Sequence, residues 1–173
     1  MTEDGVEQVA HELSGLELTH FFDGLIRGTD DPDLAPLLGS VAVKMQLRAP
    51  TDQSDAGGKP AEELQRSYAG IRFDTSRPDR VAAVLADSPA QQAGVSAGDQ
   101  LIAVDGLKTS RERFERILRR AEPGVVLTLH LFRRDELIIT SVTLAPAQTD
   151  TVWLTIDEDA KSDVRQRLQD WLG

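Results

Sequence analysis

The chain has 173 residues, 40% of them apolar, with 29 acidic against 19 basic side chains, a net charge of −10 and no cysteine. That is enough apolar content for a real core, which argues against a disordered or fibrous chain. The negative field repels polyanions, so no nucleic-acid partner is expected, and the missing cysteines remove disulfides, thiolate catalysis and cysteine-ligated metal. No apolar run approaches the roughly 18 residues of a membrane span and the start lacks the basic and apolar regions of a secretory signal, so the chain as written reads as soluble, without a membrane partner and of unknown compartment.

Val6, Val9, Ala10 and Leu13 repeat at helical spacing, and Leu18, Phe21, Phe22, Leu25 and Ile26 do so again after Ser14-Gly15. Ser14 and Glu17 have the spacing of a capping box for the second helix, and Gly28 is its natural stop. A third short helix is expected over 32–38, with Pro32 near its start. Val41, Val43, Met45 and Leu47 then alternate with Ala42, Lys44 and Gln46, the period of a half-buried strand. Residues 49–63 are small, polar and rich in Pro and Gly, which predicts a flexible linker.

From Tyr68 the pattern turns mostly to strands, near 70–75, 80–86, 100–104, 125–132 and 137–144, with helices near 89–93 and 110–121. In the longer helix Phe114, Ile117, Leu118 and Ala121 form the stripe that must meet a sheet. The tail predicts a strand over 152–156 and a last helix with Ala160, Val164, Leu168, Trp171 and Leu172 on one side, expected to dock because exposed indole and leucine forgo burial energy.

Two chemical motifs fail on context. His11-Glu12-Leu13-Ser14-Gly15 begins like the HExxH of zinc peptidases but has Gly15 where the second histidine belongs, and His20 lies nine residues from His11, beyond that helical turn. Gly94-Val95-Ser96-Ala97-Gly98 satisfies GxSxG, yet a helix precedes and a strand follows, the reverse of a nucleophile elbow. Arg111, Arg113, Arg116, Arg119 and Arg120 give the long helix a basic cast interleaved with Glu112 and Glu115, a solvated face that Arg133 and Arg134 could extend into a patch for an acidic segment.

Gly70-Ile71-Arg72-Phe73, Ser88-Pro89-Ala90 with Gly94, and Gly98-Asp99 before Leu101-Ile102-Ala103-Val104-Asp105-Gly106 follow the order of a PDZ domain, which this segment resembles. The resemblance implies an α+β fold: a PDZ-like, partly open antiparallel β-barrel with two helices, here preceded by a helical segment and followed by a C-terminal helix. It also implies a peptide-binding site made by Tyr68, Ala69, Gly70, Ile71, Arg72 and Phe73 with Arg111, Glu115 and Leu118. In that mode an extended peptide or protein C-terminus adds as a strand and backbone amides near Gly70 hold its carboxylate. Arg111 stands where a histidine would favour Ser or Thr ligands, which points to an acidic or polar ligand.

The flanks sharpen the resemblance. Phe21-Phe22 followed by Gly28-Thr29, then Phe132-Arg133-Arg134-Asp135-Glu136-Leu137 and Trp171-Leu172-Gly173, are similar to landmarks of the C-terminal region of glycyl aminopeptidases, zinc peptidases with an appended PDZ domain. The implied organisation is a helical segment over 1–48, a linker over 49–63, a PDZ domain over 64–147 and a docked strand and helix over 148–173. The implied role is non-catalytic: no cofactor in these residues, zinc only in an absent catalytic domain, and that catalytic domain as a further partner. A free-standing PDZ adaptor and a purely structural domain with an occluded groove are the alternatives.

Overall fold

The computed structural model describes residues 3–60 and 62–173. Met1, Thr2 and Ala61, the last within the expected linker, lie outside the described residues. The chain divides into two compact units, Met1–Lys44 with Ile156–Gly173, and Met45–Thr155.

In the smaller unit the helix α1 spans Glu3–Ser14, α2 spans Thr19–Phe21 and runs into a π-helical stretch Phe22–Arg27, and α3 spans Leu34–Gly39. The expected capping box does not form. Ser14 lies at the end of α1 and donates its hydroxyl to the Ala10 carbonyl at 2.6 Å, while Glu17 accepts from the Thr19 amide and hydroxyl at the start of α2. Helix α2 begins five residues after Ser14, too far for a reciprocal cap. Gly28 does end the helical run, for a steric reason: a β-carbon there would sit 2.5 Å from the Gly24 carbonyl oxygen. Asp33 caps α3 by accepting from the Ala35 amide. The final helix of this unit spans Ser162–Leu172.

The last helix corrects an expectation. Leu168 is buried, but Trp171 is 67% and Leu172 71% exposed, so its apolar end is not packed.

Strand β1 (Val43–Arg48), which belongs to the larger unit from Met45 on, and strands β2 (Ser67–Tyr68), β3 (Ile71–Phe73) and β4 (Val81–Val84) precede α4 (Pro89–Gln92), β5 (Gln100–Val104) and β6 (Leu107–Lys108). Helix α5 (Arg111–Arg120) then leads to β7 (Val126–Arg133), β8 (Glu136–Thr143), β9 (Ala145–Pro146) and β10 (Thr151–Ile156); the helix Ser162–Leu172 is α6. The fold is thus α+β. The strands lie in antiparallel ladders, β2 with β9, β3 with β4, and β6-β5-β7-β8, with β1 beside β10. These sheets stay open and do not close into a barrel.

Turn chemistry fixes the four-stranded sheet. Asp105-Gly106 and Arg134-Asp135, all at positive φ, make two-residue hairpin loops between β5 and β6 and between β7 and β8. The Gly94–Gly98 segment is a turn from α4 into β5, as the reversed context required. The core lies between this sheet, the β3–β4 ladder and α5, with Phe114, Leu129, Leu131, Val142 and Leu144 nearly inaccessible.

β1 departs from simple alternation. Leu47 is 55% exposed while Arg48 is buried, because Arg48 turns inward to an acidic partner described below.

Candidate functional site

Chain direction at the start of β3 depends on one glycine. Gly70 has φ +82°, and a β-carbon there would lie 2.1 Å from the Ser88 β-carbon, so the loop closes on Ser88 only with glycine. Ser88 in turn caps α4 by accepting from the Gln91 amide. The Ala69 carbonyl accepts from the Ala90 amide and the Gly70 carbonyl from the Leu85 amide, both at 2.9 Å, which ties the loop to α4 and to the end of β4. With its Gly70 side committed to β4, the extended strand alternates and turns the backbone groups of Phe73 to the opposite side.

That opposite side faces α5, and a segment of the chain itself lies there. The Phe73 amide donates to Gln53 Oε1 at 2.7 Å, and Gln53 Nε2 donates to the Phe73 carbonyl at 2.9 Å. One side-chain amide thus satisfies both main-chain groups of a strand residue, in the pattern a neighbouring strand would use.

Three arginines hold the same segment. Arg72 donates to the Gln53 carbonyl at 3.3 Å, Arg111 to Ser54 Oγ at 2.7 Å, and Arg119 to the Thr51 carbonyl at 3.1 Å. Arg111 is also paired with Glu115 at 2.9 Å.

The segment is anchored at its ends by a buried ion pair. Arg48 meets Asp55 through two bonds, Nη1 to Oδ2 at 2.7 Å and Nη2 to Oδ1 at 2.9 Å, with both side chains almost wholly enclosed. Asp55 also accepts from the Thr51 amide and hydroxyl and the Gly57 amide, and Arg48 donates to the carbonyls of Ala49 and Gly58. The Arg48 guanidinium, against the opposing pull of burial, holds the Asp55 carboxyl far below the usual carboxylate range. Residues 49–60 therefore contain no helix or strand yet are bound at named points.

Between β3, α5 and this segment remains a cavity of about 40 Å³, lined by Tyr68, Gly70, Ile71, Phe73, Phe114 and Leu118 among others. By that measure it holds a few waters and no peptide side chain. Burial pushes the Tyr68 phenol upward, against a smaller lowering effect of Arg72. Phe73 and Phe114 meet edge to face, with centroids 5.7 Å apart, as the cavity floor.

The structure gathers Tyr68, Gly70, Ile71, Arg72, Phe73, Glu115 and Leu118 around this one cavity, with Arg111 beside it through Ser54. Ala69 is the exception, since its methyl is wholly inside the core and only its backbone serves the loop. Sequence reasoning missed Phe114 as a lining residue, having placed it in the core stripe, and missed Gln53 and Ser54 altogether. A polar stretch without periodicity carries no signal for a side chain that imitates a strand.

Outside this site the basic residues divide. Arg133 is spent on buried Asp99, at 2.8 and 2.9 Å, and on the Gly94 carbonyl. For Asp99, burial pushes the carboxyl up and the bonds from Arg133 and the Ser96 amide pull it down further, so the net displacement is downward. Among the described residues no three His, Asp or Glu side chains come within reach of one ion, and no helix is long and apolar enough to cross a membrane.

The family model of the PDZ domain matches residues 80–131, which run from the start of β4 into β7. The chain carries a PDZ-like domain. The matched stretch stops short of the Gly70 loop and the Gln53 segment. Over its whole length the chain is similar to an aminopeptidase N family protein from Idiomarina loihiensis, at 28% identity and a TM-score of 0.84, covering 29% of that chain. A 59-residue stretch, 33% of this chain, is 39% identical to the regulator of G-protein signaling loco of Drosophila melanogaster and covers 4% of that protein. A serine endoprotease from Yersinia pestis matches 49% of this chain and 30% of its own at 27% identity, with a TM-score of 0.44. This chain thus spans less than a third of the aminopeptidase N family protein and a small fraction of the fly protein.

Proposed function

We propose that this chain is the peptide-recognising accessory region of an aminopeptidase-like protein, and that its PDZ-like domain takes an extended peptide or protein C-terminus as a strand beside β3. The observation that carries this reading is Phe73: its amide and carbonyl face α5 and bind an amide group in the geometry of strand addition. Ile71, Phe73, Phe114 and Leu118 supply the apolar floor for a terminal side chain, and the amides near Gly70 supply donors for a carboxylate. One short edge makes a small interface, so affinity is low.

The test is a titration of the chain, followed by amide shifts, with peptides bearing free C-termini. Shifts are expected over Gly70–Phe73 and Arg111–Leu118 and are expected to shrink when the peptide terminus is amidated. Equal responses to free and amidated peptides would remove carboxylate capture.

A second reading is that the region positions a catalytic domain, the partner in which zinc and turnover reside. It is favoured by similarity along the full length of this chain to 29% of an aminopeptidase N family protein, and by the exposed apolar side chains Val9, Leu13, Leu16, Phe21 and Ile26 in the smaller unit. On this reading the chain alone releases no amino acid from peptide substrates; zinc-dependent aminopeptidase turnover by these 173 residues would overturn it.

A further inference from the structure

Gln53 occupies the two groups that strand addition requires. Each backbone amide donates one hydrogen, so while Phe73 donates to Gln53 it cannot donate to an incoming peptide. The cavity left beside the segment is too small for a ligand side chain. Peptide binding and a seated Gln53 tip therefore exclude one another.

The tip is built to be exchanged as a unit. Asp55 holds Thr51 through two bonds and Arg48 through two more, while the Ser54 amide donates to Asp52 Oδ1 at 2.6 Å within the tip. What the tip gives to the domain is polar throughout: one bidentate amide, one hydroxyl and carbonyl oxygens. No residue of 49–60 belongs to the buried core cluster. Exchanging such contacts for a ligand's equivalent contacts is close to balanced, because hydrogen bonds lost and regained nearly cancel.

We propose that residues Thr51–Ser54 are a built-in competitor of the peptide site, displaced when an extended peptide pairs with Phe73 and sets a hydroxyl or carboxylate against Arg111. This rests on the peptide-binding reading above. Ser54 Oγ marks the ligand chemistry: when the tip leaves, the Arg111 donor that served Ser54 is open, its other side still fixed by Glu115. A charged oxygen there binds more strongly than the neutral hydroxyl it replaces.

The experiment compares the full chain with Gln53→Ala, using a displayed pool of random hexapeptides with free C-termini and amide hydrogen exchange at Phe73. In the variant, Phe73 exchange accelerates in the free protein, enriched peptides bind roughly tenfold more tightly than to the parent chain, and Ser, Thr, Asp or Glu dominates one peptide position. That preference disappears in Arg111→Ala. Equal affinities for parent and variant, with peptide shifts at Phe73 in both, overturn the competitor and leave the peptide site standing. Fast Phe73 exchange in the variant with no peptide enriched removes the peptide site and the competitor together. Absence of any oxygen-bearing preference overturns the assigned ligand chemistry. Gln53→Glu, whose carboxylate opposes the Phe73 carbonyl, provides the same comparison should the alanine variant fail to fold.

Discussion

At the scale of single residues, Gly70 and Asp55 carry the most definite consequences. Gly70→Ala must push the Ser88 β-carbon from 2.1 Å and hold alanine at φ +82°, costs that together reach about 3 kcal/mol or more. Urea denaturation is expected to show that loss, with the Gly70 loop detached from α4. For Asp55 the sign follows from its carboxyl being held below the unfolded value near 4. A lowered carboxyl contributes stability in full above the unfolded value and loses it as pH falls toward the folded one. The thermal midpoint of Asp55→Asn should therefore lie below that of the parent at pH 7, and the gap should narrow only below about pH 4. A gap that stays constant down to pH 2 would remove the Arg48 pair as its source. Asp99→Ala removes the partner of Arg133, which is partly exposed and can turn to water, so the cost is about 1–3 kcal/mol by denaturant titration.

At the scale of elements, α5 is the wall that both the core and the site depend on. Phe114 is almost inaccessible and meets Phe73 edge to face, so Phe114→Ala should cost about 3–5 kcal/mol in equilibrium unfolding and should enlarge the cavity beside β3. The helix and its Phe114 and Leu118 stripe were legible because periodicity leaves marks in residue type. The tip at Gln53 left none: its hold on β3 comes from a flexible side chain reaching 20 residues along the sequence. Ser14 and Glu17 misled for the opposite reason. Their spacing suited a cap, but α1 runs through to Ser14, and there its hydroxyl turns back to Ala10. The exposed Trp171 and Leu172 were unreadable in another way, since an amphipathic helix declares a face but not what covers it.

At the scale of the whole molecule, the larger unit contains the complete site, from Arg48 and Asp55 through β3 and α5. Residues 45–155 expressed alone are expected to unfold cooperatively and to keep the Phe73 amide protected; loss of that protection in a folded fragment would show that the site needs the rest of the chain. The division of the chain also has an optical consequence. Its only two tryptophans fall one to each unit, Trp153 in the larger and Trp171 in the smaller. Trp171 already stands in water while Trp153 is partly covered, so Trp171→Phe leaves a single emitter whose red shift on denaturation follows the site-bearing unit alone, without any added label.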